Sequence, residues 1–395
     1  MSISKDLRLR KRFCKDRGLS INLFESPYFE QRLWQMDALD DFYDVCSFVN
    51  ENYQGETDKE RVGKYLDDCM AISEKVIEYV KGMPAYQAFL QDKAVLYLPM
   101  LEVGSKNLYT DANIGKQFIS IDMNKANFSA LVHYGKERGL EFFQEYDYHA
   151  FLEKCISEPL AEHLSQSKYL RQVIFGNCSP KPQRHYESAL MKQFYDALTT
   201  SEFWDRFGKY LKIYGSYSDE IVFEYDANAF STEKEEPHTL YEYTHSEKFK
   251  DFLSILQRLQ DFIQEWSKTS IPLKMETFRL TKVNDTQAYV KALLANNNST
   301  IIDFVPKCVN PYDAPYVYRT IKDYKKLFSS IPKKECSYNF TEFEPTPEDD
   351  KVFIHEGRLA KEIKDRDVFL IKNAAEIKLE KDIIHDKENE EEAER

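Results

Sequence analysis

Ile213-Tyr214-Gly215-Ser216-Tyr217 and Ile221-Val222-Phe223-Glu224-Tyr225 flank Ser218-Asp219-Glu220. Two β-prone runs around a short polar turn read as a hairpin with an acidic tip. About a hundred residues upstream, Phe118-Ile119-Ser120-Ile121 reads as a buried strand that ends on Asp122, with a helix-like stretch through Leu131 behind it. One acid at a strand end and one at a hairpin tip can meet if the two elements share a sheet. That possibility sets the expected fold class: α+β, with an antiparallel sheet, its hairpin and packing helices.

Outward from this centre, the N-terminal region reads as helical. Thr57-Asp58-Lys59-Glu60 is a capping box, followed by Val62, Tyr65, Leu66, Cys69, Met70, Ile77 and Val80, mostly at helical spacing, and Pro84 stops the run. Ala94-Val95-Leu96-Tyr97-Leu98 reads as a short buried strand. Ser246 to Thr269 carries Phe249, Phe252, Leu253, Leu256, Leu259, Ile263 and Trp266 as one apolar stripe, the mark of a core helix. A β-meander follows Pro272 in three runs, Phe278–Val283, Ala288–Leu293 and Thr300–Val305, with Asn284-Asp285 and Asn296-Asn297-Asn298 as turns. A helix is expected over Tyr316–Phe328 and a linker over Ser337–Asp350. The expected division is an N-terminal helical region at 1–110, a palm-like domain at 111–270 with a short fingers segment at 151–210, a C-terminal α+β domain at 271–378 and an acidic disordered tail at 379–395.

Composition excludes several classes. The chain has 395 residues, 27 Phe and 26 Tyr against 12 Gly and 14 Pro, so it builds a core and is neither collagen-like nor a linker. No apolar run approaches the ~18–20 residues of a membrane helix, and Met1–Arg17 is basic with no apolar core behind it, so it does not read as a secretory signal. Cys14, Cys46, Cys69, Cys155, Cys178, Cys308 and Cys336 are widely spaced with no CxxC, which fits a reducing cytoplasm. No HExxH or HxxxH occurs, and His133 and His185 have no partner at ligand spacing. The basic N-terminus and the acidic Glu380–Arg395 offset each other, so the body itself carries the net −13. That argues against a nucleic-acid coat protein but allows a basic channel on an acidic body.

Three segments carry chemistry. Ile119 to Leu131 delivers Asp122. Lys168-Tyr169-Leu170-Arg171-Gln172-Val173-Ile174-Phe175-Gly176-Asn177 sets a cation and a ring four residues apart, on one helical face. Tyr214 to Glu224 delivers Asp219 and Glu220. Converging carboxylates hold the divalent cations of phosphoryl transfer, and Mg²⁺ prefers such hard oxygen ligands. A guanidinium can bind a triphosphate while a ring stacks on a base. Lys168, Lys181 and Arg184 extend a basic patch around Arg171.

In this order the segments resemble the palm of family A (DNA polymerase I-like) nucleic-acid polymerases, in divergent and minimal form, over Phe118 to Tyr225. The resemblance implies that Asp122, Asp219 and the Met123 carbonyl hold Mg²⁺ or Mn²⁺, with Glu220 beside them. It implies that Arg171 and Lys168 take the nucleoside triphosphate, that Phe175 stacks on its base, and that nucleic acid is the partner. Four departures stand out. Arg171 replaces the usual Lys, Ser218 replaces a His, and only 48 residues separate Arg171 from Asp219. Asn127 stands where the family carries an acid that polices the sugar, so a weak sugar gate is expected.

Two other functions fit. One is a palm nucleotidyltransferase that uses no template: the histidine-tRNA guanylyltransferases carry a similar Ser-Asp-Glu hairpin and strand-borne Asp. The other is a non-catalytic phage or viral structural or host-interaction protein, since the Lys-, Glu- and aromatic-rich composition is compatible with a phage origin.

Overall fold

The computed structural model describes residues 48–321, apart from 57, 102, 105, 179, 227–246, 284–285, 295–300, 310–316 and 318–319. The termini, the helix expected at 316–328, the expected linker and tail and the Asn-rich turns lie outside the described residues, wholly or in large part.

The elements in chain order are α1 (Asp58–Gly82), α2 (Pro84–Gln91), β1 (Gln117–Met123), α3 (Ala126–Glu137), α4 (Tyr148–Glu153), α5 (Leu160–Ser165) and α6 (Lys168–Gly176). Then come α7 (Pro180–Thr199), α8 (Glu202–Phe207), β2 (Leu211–Tyr217), β3 (Glu220–Tyr225), α9 (Glu247–Thr269), β4 (Leu273–Lys282), β5 (Tyr289–Leu294) and β6 (Ile301–Lys307). The protein is α+β. Its six strands form one antiparallel sheet in the order β2-β3-β1-β4-β5-β6.

β1 lies inside the sheet and is buried at nearly every position, as a strand covered on both faces is. Successive side chains alternate between faces. Ile119, Ile121 and Met123 enter the main core with the helices, including Tyr65 and Val76 of α1, Phe128 and Leu131 of α3, Phe194 of α7 and Phe252 and Leu256 of α9. Phe118 enters a smaller cluster on the other face, with Leu108, Val222, Phe278 and Leu280. There residues 106–116 fold over the sheet. Gly115 N–H donates to the Leu280 carbonyl, and Asn113 Nδ2 donates to the Tyr214 hydroxyl. Gly115 has φ +82°, a left-handed conformation that a Cβ would strain.

Two expectations change. Lys93–Tyr97 is a 3₁₀ turn, not a strand. Asp92 caps it by accepting from Ala94 N–H, and Leu96 and Tyr97 are exposed, so a five-residue apolar run finds no strand to pair with. The packing also crosses the boundaries expected at 110/111 and 270/271. α1 and α2 share one core with the sheet, and β4 pairs along the whole of β1, so the meander continues the same sheet.

Candidate active site

β1 ends at Met123, one residue past Asp122, because the chain turns sharply there into α3. Lys125, the residue before that helix, has φ +51°, and Ser129 Oγ donates to the Asn124 carbonyl across the turn. The hairpin turn Ser218-Asp219 comes to the same place. Met123 N–H donates to the Asp219 carbonyl at 2.8 Å, so one hydrogen bond ties the strand end to the hairpin tip. In register, Asp122 lies opposite Glu220 on β3 and Lys274 on β4. The two acids foreseen on separate segments therefore converge.

The surroundings are strongly charged. Lys274 Nζ sits 2.8 Å from Asp122 Oδ2. Burial pushes the Asp122 carboxyl up; Lys274 pulls it back, Asp219 and Glu220 push it further, and the result is about 6. Burial works against the Lys274 ammonium, but Asp122, Glu276 and Glu220 hold its pKa above the usual lysine value. Ser120 Oγ donates to Glu220 Oε1, which fixes that carboxylate over β1. Further along this face, Lys291 pairs with Glu276 at 2.7 Å. Lys307 is held below the usual lysine range by burial first and by Lys291 next.

A further acid reaches this cluster from α7. Glu187 is buried, with 3% of its surface accessible. Burial, the neighbouring Asp219 and Asp122 drive its carboxyl up to about 8, with Arg184 opposing. Its Oε1 has no hydrogen-bond partner among the described residues. Sequence reasoning missed it, yet the signal was present. Gln183, Glu187, Leu190 and Phe194 follow one helical stripe, and the last two are core residues. A glutamate on such a stripe must be buried.

The cationic side is partly as expected. Arg171 is half-buried, and its guanidinium lies 5.8 Å from the centre of the Tyr148 ring. Lys125 Nζ lies 5.8 Å from the same ring, and burial first and Arg171 second hold Lys125 below the usual lysine range. Lys125, three residues after Asp122, was not singled out from sequence. Lys168 is exposed in the first turn of α6. Asn127 is half-buried in the first turn of α3, and its carbonyl accepts from Gln183 Nε2 at 2.5 Å, which pins α7 to α3. Met123 buries its side chain in the core.

Phe175 departs from expectation. It is fully buried, against Phe128 and Tyr148 at 6.2 Å each. Leu170, Ile174 and Phe175 form the inner face of α6, so the ring is core and is not presented to a base.

Of the histidines considered from sequence, His133 meets the Tyr186 hydroxyl at 3.0 Å and His185 meets the Leu98 carbonyl at 3.1 Å, both structural contacts. His149, Glu153 and Glu158 gather on the surface, where His149 already pairs with Glu158 at 2.6 Å. Among the described residues no helix is long and apolar enough to cross a membrane. No family model matches the chain, and no curated protein matches it.

Proposed function

We propose that this protein is a nucleotidyltransferase of polymerase type, extending a nucleic acid on a template with the help of two divalent cations. One observation carries the reading. The backbone bond from Met123 to Asp219 brings together an acid carried on β1 and an acid in the β2–β3 turn, and both push on the Glu187 carboxyl. The donor set suits Mg²⁺ or Mn²⁺: it offers carboxylate oxygens without thiol or imidazole, and Glu187 Oε1 is a buried oxygen in want of a partner. Asp122 and Asp219 are the proposed ligands. Cations held there would neutralise charge on the attacking and departing oxygens.

The chain's own residues have separate tasks. Lys274 shields Asp122 until it is displaced, and Ser120 orients Glu220. Arg171 and Lys125, both beside the Tyr148 ring, bind the triphosphate as a charge-assisted pair. Lys168 lies close enough to Lys307 to disfavour its charge, and the two extend positive potential toward the nucleic acid.

The burial of Phe175 favours a second reading. The finger-like segment around Arg171 is what sets a templated enzyme apart from a palm nucleotidyltransferase without template, and although α6 forms there, its ring serves the core. Primer extension with Mg²⁺, with and without a template strand, separates the two. Template-dependent incorporation that Asp219→Asn abolishes supports the first reading. Incorporation without template supports the second. No cation-dependent thermal shift with nucleotide, and no incorporation, would leave a non-catalytic scaffold.

A further inference from the structure

We propose that Glu187 is a third carboxylate ligand of the Asp122–Asp219 cation site, supplied by helix α7. The inference rests on the reading of that site given above, and it adds a ligand that no motif contains.

α7 is anchored just beyond the strand-borne acid. Gln183 Nε2 donates to the Asn127 carbonyl, in the first turn of the helix that begins four residues after Asp122. Glu187 follows Gln183 by four residues and therefore lies one turn along the same face. Asp219 and Asp122 both act on its charge, so it looks onto the cluster from the helix-covered side of the sheet. On the opposite side stand Lys274 and Glu220.

A buried carboxyl group is costly unless it is paired or coordinates a metal. A purely structural glutamate would be expected to use both oxygens. Among the described residues Glu187 leaves Oε1 without a partner, and Arg184, on the same helix, is the cation that acts on it. Two repelling acids are an unfavourable setting for a third unless positive charge is brought to all of them. A divalent cation between Asp122 and Asp219 would give Oε1 its missing partner.

The test uses the full chain and Mn²⁺ alone, with bound metal counted from the loss of the free-ion electron paramagnetic resonance signal. Wild type should bind and Asp219→Asn should not. Glu187→Gln, which keeps shape and removes charge, should bind about tenfold or more weakly, since even outer groups of a metal site cost that much. Its melting temperature without metal should be equal to or above that of wild type. Glu187→Gln binding Mn²⁺ as tightly as wild type would overturn the inference alone. No binding by wild type, or equal binding by Asp219→Asn, would overturn the underlying site and this inference with it. A second measurement needs no variant. Fe²⁺ in place of Mn²⁺, with ascorbate and peroxide, cuts backbone beside its ligands. Cuts near Glu187 as well as near Asp122 and Asp219 support the assignment, and cuts near the two aspartates alone overturn it.

Discussion

The two faces of β1 meet opposite surroundings. On one face Ile119, Ile121 and Met123 meet helices and are sealed from water. On the other, Phe118 is sealed by residues 106–116, but Ser120 and Asp122 open onto Glu220, Glu276, Lys274 and Lys291. One seven-residue strand thus spans core and charge by alternation alone. The lesson is that position along the strand matters as much as face. The far end of the second face is padded, and the end that reaches the hairpin tip is not.

The sharpest way to break this contrast is to remove charge at the open end. Asp122→Asn and Asp219→Asn should each abolish cation-dependent nucleotide incorporation. The double variant should be hardly worse, because the first loss already empties the site. Without cation, Asp122→Asn should be more stable than wild type at neutral pH. A folded carboxyl pushed up to about 6 means that its ionised form is disfavoured by folding. The gain should be on the order of 1–2 kcal/mol, because Lys274 also loses its partner. Chemical denaturation and primer extension on the same samples check both. If the asparagine variants are destabilised and still incorporate nucleotide, the acids are structural caps.

The sealed face should respond in the opposite way. Phe175→Ala should cost about 3–5 kcal/mol of stability, as a fully buried ring does. Its effect on nucleotide use should only follow the loss of folded protein. A stable Phe175→Ala protein with a raised KM for nucleotide would mean that the ring reaches the substrate, against its observed packing.

How much of this was readable beforehand depends on whether the signal is local. The hairpin, β1 and the stripe of α9 are set by periodicities within the segments themselves, and each stands close to where the pattern puts it. The convergence of Asp122 with Asp219 depends on long-range strand pairing, which no periodicity within a segment reports. Three things escaped. The pairing of β4 with β1 makes one sheet of what read as two domains, and no local signal reports it. Val95 looked like strand because short apolar runs do not distinguish a strand from a buried turn. Phe175 was misjudged and Glu187 overlooked for a common reason: spacing shows which residues share a helical face, but only the company on that face, such as Leu190 and Phe194 beside Glu187, tells whether it meets protein or water.

Acid–base behaviour sharpens the comparison further. Glu187 and Asp122 both have folded pKa values above their unfolded ones, about 8 and about 6. Between the unfolded and folded values the native state binds more protons, so stability falls as pH rises. The cation-free protein should lose stability from about pH 4 up to about pH 8, and most of the slope above pH 6 should vanish in Glu187→Gln. Saturating Mg²⁺ should flatten the profile in wild type. Thermal melts across that range with and without Mg²⁺ check this, and a cation-free profile that rises from pH 6 to 8 would contradict the buried, repelled state of Glu187.

The cations beside Tyr148 should matter to substrate and not to fold. Arg171→Ala and Lys125→Ala should each raise KM for the nucleotide, by an amount equivalent to about 1.5–3 kcal/mol for a lost charge-assisted contact. Nucleic-acid affinity should change less. Lys125→Ala should be the better tolerated in stability, because burial already works against its charge and Arg171 repels it. Steady-state kinetics with unchanged KM in both variants would remove the triphosphate from this place.

The smallest effect concerns Lys274. Its pair with Asp122 is short, but the lysine side chain is 61% exposed and the aspartate 26%, so the bond is screened on one side. Pairs of that kind are worth about 0–1 kcal/mol, and Lys274→Met should change stability by no more than that. The sign on cation binding is more telling. Lys274 occupies the charge that a divalent ion must claim, so removing it should tighten Mn²⁺ binding and push the Asp122 carboxyl higher in the absence of metal. If Lys274 instead assists the ion by orienting Asp122, Lys274→Met will weaken Mn²⁺ binding, and the lysine belongs with the site's working groups. Titration of Mn²⁺ into the two proteins side by side decides between displacement and orientation, because the two roles move the affinity in opposite directions.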